Sequence, residues 1–112
     1  KHEEALNCFE NICRKHPKHM DAFFHKGMEL AELGKHDKAL AIFDKLLQIH
    51  EGNVNVIYAM ARSNAAIVNI GRALYLLELA VKKDRKTIKK WALEDEFFDS
   101  LQDEPKFRKL VR

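Results

Sequence analysis

Histidine, cysteine and a dense run of lysine are the residues here whose chemistry a binding or catalytic site could use. Six histidines invite a metal reading. Zinc sites need clustered His and Cys ligands at characteristic spacings, and neither CxxC nor HExxH occurs. His16 and His19 are the one close pair, and Pro17 between them ends the helix that would have to present both. His2 and His36 fall at equivalent places in a pattern developed below, near the start of a helix, so geometry accounts for them. Cys8 and Cys13 lie on one helix, roughly 140° apart around its axis, and cannot pair within it. They read as two thiols in a reducing compartment. Without a glycine-rich phosphate loop or a strained nucleophile turn, no catalytic constellation forms. The expectations are no metal, no cofactor and no enzymatic activity.

One charged feature stands out. Lys82, Lys83, Arg85, Lys86, Lys89 and Lys90 form a basic run next to Trp91. Cations could meet phosphates there, and the indole could stack on a base. However, the run straddles a predicted turn and an acidic block follows at once, so it reads first as a solvated helix end with local charge pairing. The net charge of +3 does not by itself call for nucleic acid. RNA binding through Lys82–Lys90 stands as the remoter alternative.

The elements that would position these groups are helices. Only four glycines and two prolines interrupt a chain of 112 residues that is rich in Ala, Leu, Lys and Glu, and strand-like alternation is absent. No stretch reaches the roughly 20 apolar residues a membrane span needs, and no leader pattern is present, so the cytoplasm is the expected compartment. Ala5, Cys8, Phe9, Ile12 and Cys13 form an i, i+3, i+4 stripe that predicts a helix over His2 to Lys15, stopped by Pro17. The chain starts within this element without a cap, the expectation being a truncated repeat or a fragment. A second helix over Lys18 to Leu33 carries two apolar stripes: Phe23, Gly27 and Leu30, and beside it Phe24, Met28 and Ala31. Gly34 suits its left-handed end, and a third helix runs to His50. A fourth spans Val54 to Val68, with Asn64 interrupting its core stripe. The turn after it is expected at Asn69, before a helix bearing Ala73, Leu74, Leu77, Ala80 and Val81. Thr87–Gln102 is expected as one helix and Glu104–Val111 as a short last one.

These helices repeat. Ala5, Ala39 and Ala73 are about 34 residues apart, as are Phe9, Phe43 and Leu77, and Ile12, Leu46 and Ala80. Phe23, Ile57 and Trp91 keep the same register in the helix before each, as do Gly27 and Ala61. Gly27, Ala39, Ala61 and Ala73 are small where paired helices must approach closely, which gives them structural roles. At these residues, with Leu30, Gly34 and Pro17, the chain resembles the tetratricopeptide repeat (TPR) family over roughly Lys1 to Lys83. Lys26, Asn64, Val68 and Ala80 depart from the family pattern, and the closing proline is missing after His50 and Lys83. Leu93 to Leu101, with Asp103, Pro105 and Phe107, looks like the closing segment of such arrays, in which acids separate aromatics that seal the last hairpin. The resemblance implies an all-α, right-handed superhelical solenoid of antiparallel helix pairs with about seven helices. It implies one domain over 1–112: the second helix of a truncated repeat (1–17), repeats over 20–52 and 54–84, and capping helices over 85–112.

In such a stack the first helix of each pair lines a concave face. The residues placed there are Phe24, Met28 and Ala31, then Asn55, Tyr58, Arg62 and Ala65. Phe24, Met28 and Tyr58 would be apolar anchors for a peptide or partner protein, Arg62 would pair an acid, and Asn55 would bond an extended backbone. Met28 stands where carboxylate-gripping family members carry asparagine, so a chaperone-tail clamp is not indicated. Phe24, Met28 and Tyr58 could equally be covered by a preceding helix, a second subunit or the chain's own tail. The reading is a protein–protein interaction scaffold. The alternative from another class is a self-association module that pairs copies through Phe9 and Ile12 of the first helix.

Overall fold

The computed structural model describes all residues 1–112, and they are helical throughout, with no strand. Seven α-helices and one 3-10 helix follow in order: α1 His2–Lys15, α2 Met20–Glu32, α3 His36–Ile49, α4 Val54–Ala66, α5 Ile70–Lys83, α6 Arg85–Glu94, the 3-10 helix Glu96–Leu101 and α7 Pro105–Val111. No helix is long and apolar enough to cross a membrane. Two compact units divide the chain, Lys1–Glu51 and Gly52–Arg112.

In the first unit α1 packs on α2 and α2 on α3. The core is built from Leu6, Cys13, Leu30, Ala39, Phe43 and Leu46, all buried. The α2–α3 crossing depends on Gly27, where a Cβ would lie 2.6 Å from Cε1 of Phe43. Such a distance is far inside van der Waals contact, so glycine lets the fully buried Phe43 ring seat against this helix, and any larger residue would force the ring to shift. His19 starts α2 by accepting a hydrogen bond at Nδ1 from the Ala22 N–H, 3.1 Å away. That bond leaves the ring proton on Nε2 and gives this histidine a capping role.

In the second unit the α4–α5 hairpin repeats the design. Asn53, one repeat on from His19, caps α4 by accepting from the N–H groups of Asn55 and Val56. Here the column residues are Ala61 and Leu77, both fully buried. The smaller ring-site residue thus goes with the larger helix-face residue, the converse of Gly27 with Phe43. Asn64, which breaks the apolar stripe, is 5% exposed and donates to the Met60 carbonyl at 2.8 Å. Its amide is thereby satisfied within its own helix. The α6, 3-10 and α7 segments then close the hairpin with Ile88, Phe98, Leu101 and Phe107, each buried.

Two sequence expectations need correction. The left-handed residue after α4 is Val68, at φ 62°, and Asn69 serves instead as the N-cap residue of α5. The reason is the helix-ending motif: Asn69 N–H bonds the Asn64 carbonyl at 2.8 Å and Val68 N–H that of Ala65 at 3.0 Å. Lys35 to Leu30 and Gly34 to Ala31 do the same one repeat earlier, with Gly34 at φ 80°. The motif therefore assigns its left-handed site by position, and Val68 occupies the glycine's place at a steric cost. The helix expected over Thr87–Gln102 is interrupted. It starts at Arg85, capped by Asp84, and stops at Glu94, because Asp95 is extended (φ −91°, ψ 114°) and caps a separate 3-10 helix.

Candidate peptide-binding face

The proposed binding residues divide between the two units, and each set has its own surroundings. On α2, Phe24 and Met28 are half-buried and Ala31 is 1% exposed. Phe24 lies 5.9 Å from the Phe43 ring and 5.6 Å from that of His25, centroid to centroid. His25 in turn stacks on Phe9 at 5.3 Å, which ties α1 to this face. Phe9, the residue behind the self-association alternative, is thus already half-buried against α2, and Ile12 is half-buried as well. Alongside, His2 donates to Glu29 at 2.6 Å.

On α4 the equivalent residues are closed over. Tyr58 is 7% exposed, Arg62 9% and Ala65 0%, whereas Asn55 is exposed. The cover is the chain's own closing segment. Arg62 donates to Asp95 from Nε at 2.7 Å and from Nη2 at 3.3 Å, and the Tyr58 hydroxyl donates to the same carboxylate at 2.8 Å. The guanidinium also lies over the Phe97 ring, 3.8 Å from its centroid. Ser100 donates to the Ala65 carbonyl at 2.9 Å. Trp91, Tyr58, Phe98 and Phe107 form a chain of neighbouring rings with centroids 5.3, 5.7 and 5.8 Å apart. Of the occupants considered from sequence for Tyr58, the tail is the one in place. In this arrangement Tyr58, Arg62 and Ala65 are not open to a ligand.

The electrostatics follow from that closure. Burial raises the Tyr58 phenol well above the usual tyrosine range, and the hydrogen bond to Asp95 and its negative charge add to the shift, against an opposing effect of Arg62. The hydroxyl stays a donor throughout the ordinary pH range. The Arg62–Asp95 pair, with side chains 10% and 12% exposed, is held by several bonds in a setting that screens little. Asp95 has one further task, accepting from the Phe97 N–H at 3.0 Å.

Elsewhere the candidates for chemistry stay dispersed. No three His, Cys, Asp or Glu side chains come together where a metal ion could be held. Cys8 is exposed and Cys13 buried, both as free thiols, and burial raises the Cys13 thiol above its ordinary value. The basic run stands largely in solvent, but with less local pairing than expected from sequence. Lys82 approaches Glu78 at 3.8 Å, and Asp84, the one acid within the run, is spent on capping Thr87 N–H. Compared with known proteins, the chain matches no family model, no curated protein and no solved structure.

Sequence reasoning placed acids and aromatics in a closing role without finding which acid meets which cation. A signal for it was present. Asp95 stands about 34 residues after Ala61, in the column reserved for small residues.

Proposed function

We propose that this chain is a protein–protein interaction scaffold of TPR-like hairpins, stacked as a right-handed solenoid and working in the cytoplasm, which takes an extended peptide on the inner face of its first-in-pair helices. The observation that carries this reading is the mode of closure on α4, where the Asp95–Ser100 stretch, wound as a 3-10 helix from Glu96, lies against Tyr58, Arg62 and Ala65 with the Asp95 carboxylate, the Phe97 and Phe98 rings and the Ser100 hydroxyl engaged. The face is thus suited to hold peptide. Its counterpart on α2, with Phe24 and Met28 only half-buried, offers apolar anchors without a cation. A ligand for it would be aromatic or aliphatic at the anchor positions. Support for the stacked-hairpin architecture comes from the recurrence of helix lengths, 13 and 14 residues in α2–α3 and again in α4–α5. The capping pair His19 and Asn53 and the helix-ending pair Gly34 and Val68 recur in the same register.

The test is selection of peptides on the intact chain from a random display library, followed by calorimetric titration against a Phe24→Ala/Met28→Glu variant. Loss of binding in a variant of unchanged helicity is expected. Selected peptides that bind parent and variant equally would remove α2 as the binding face.

A further inference from the structure

The α2–α3 seam of the first unit presents a second surface, separate from the face bearing Phe24 and Met28. A groove of about 280 Å³ runs along it, with Phe23 and Leu46 at its floor, Ile42 and Ile49 on its wall, and Lys26 and Lys45 as the only charged residues lining it. Leu46 is buried, Phe23 and Ile42 are half-buried, and Ile49 is 56% exposed. Neither lysine is held in an ion pair.

The repeat supplies an internal comparison. One repeat on, the positions of Phe23, Lys26, Ile42 and Leu46 are taken by Ile57, Met60, Leu76 and Ala80, and all four are 3% exposed or less. This seam is core in the second unit and open in the first. Three of its positions have also changed character: Lys26 stands where Met60 does and Lys45 where Leu79 does, while the exposed Ile49 stands where Lys83 does. A cation beside an open apolar seam gains nothing from the packing and favours a partner that brings a carboxylate. The trough between two antiparallel helices is about as wide as one further helix, since packed axes lie roughly 8–10 Å apart.

We propose that this seam docks an acidic amphipathic helix of another protein, which lays its apolar stripe on Phe23, Ile42 and Ile49 and sets carboxylates against Lys26 and Lys45. The inference does not rest on a peptide site at Phe24 and Met28 and can hold if that site fails.

The probe is a synthetic helix-forming peptide about 20 residues long, with Leu and Phe at i, i+3, i+4 and i+7 and Glu on its flanks, compared with the same stripe flanked by Lys. NMR titration of the intact chain should show the Glu peptide bound and shifts centred on Phe23, Ile42 and Ile49. Lys26→Glu/Lys45→Glu should weaken the Glu peptide by at least about tenfold and let the Lys peptide bind instead. Ile49→Asp should remove binding of both, while Phe24→Ala/Met28→Glu should leave the Glu peptide bound. Equal binding of the two peptides, affinity unmoved by the charge reversal, or shifts centred elsewhere would overturn the proposal. So would sedimentation showing that the seam is closed by a second copy of the chain.

Discussion

Replacing Asp95 with alanine tests the closure of the second unit most directly. One carboxylate accepts two bonds from Arg62, one from Tyr58 and one from the Phe97 N–H. Its removal takes the Asp95 charge away from a guanidinium whose side chain is 10% exposed, and leaves a buried phenol without its acceptor and a 3-10 helix without its cap. Breaking one side of a buried pair typically costs about 3–5 kcal/mol, and a lost cap about 1 kcal/mol more. The contributions overlap, so about 4 kcal/mol is the expected loss, a large part of the total stability of a domain this size. The assay is urea unfolding followed by the fluorescence of Trp91, the only tryptophan, which packs on Tyr58 and so reports this unit. Asp103→Ala is the control: Asp103 pairs with Arg108 at 3.2 Å but is fully exposed, and its loss should leave the unfolding midpoint almost unmoved. If Asp95→Ala costs no more than Asp103→Ala, Arg62 and Tyr58 do not hold the closing segment and the account of this face is wrong.

Three further outcomes follow from the structure. Gly27→Ala should destabilise the first unit by about 1 kcal/mol, because overpacking against Phe43 outweighs the gain in helix propensity. Adding Phe43→Leu should restore most of it, giving a coupling of at least about 1 kcal/mol in a thermal double-mutant cycle; additive effects would deny the pairing. Val68→Gly should stabilise the second unit by about 0.5–1 kcal/mol in chemical denaturation, the relief of a left-handed β-branched residue less the extra freedom of glycine when unfolded. A loss would show that Val68, 64% exposed, contributes packing rather than strain. Finally, the unfolded chain releases the Tyr58 proton above about pH 10 while the folded chain retains it, so stability falls as pH rises, by about 1.4 kcal/mol per pH unit from this group. Tyr58→Phe should remove that part of the slope, and an identical slope in parent and variant would contradict it.

Much of the architecture was legible because it is local. Helix positions follow from the spacing of Phe23, Leu30, Phe43 and Leu46, and the close approach at Gly27 from its place in a column. The errors arose where a side chain is claimed from far along the chain. Nothing near Asp95 in sequence announces that Arg62, 33 residues before it, will draw it out of a helix. Val68 misleads for a related reason: the ending motif around Ala65 and Asn64 fixes which residue is left-handed, whatever its preference. The same holds for the proposed site. Tyr58, Arg62 and Ala65 share one face of α4, as their spacing requires, but periodicity says which way a residue points and not what has been laid over it. The α4 set was therefore covered by a segment already in view at the end of the sequence.

The column that contains Gly27 and Ala61 continues to Asp95. In the first two hairpins this position is kept small so that a second helix can cross at close range. At Asp95 the place is taken by a carboxylate that is turned back onto the preceding hairpin, and α6 ends there. One register thus serves two ends: close crossing where it is small, and a fastening between distant parts of the chain where it is charged. Exchanging this residue for a small one would restore the composition of the column and, with the same stroke, take away the acceptor that holds the closing segment on α4.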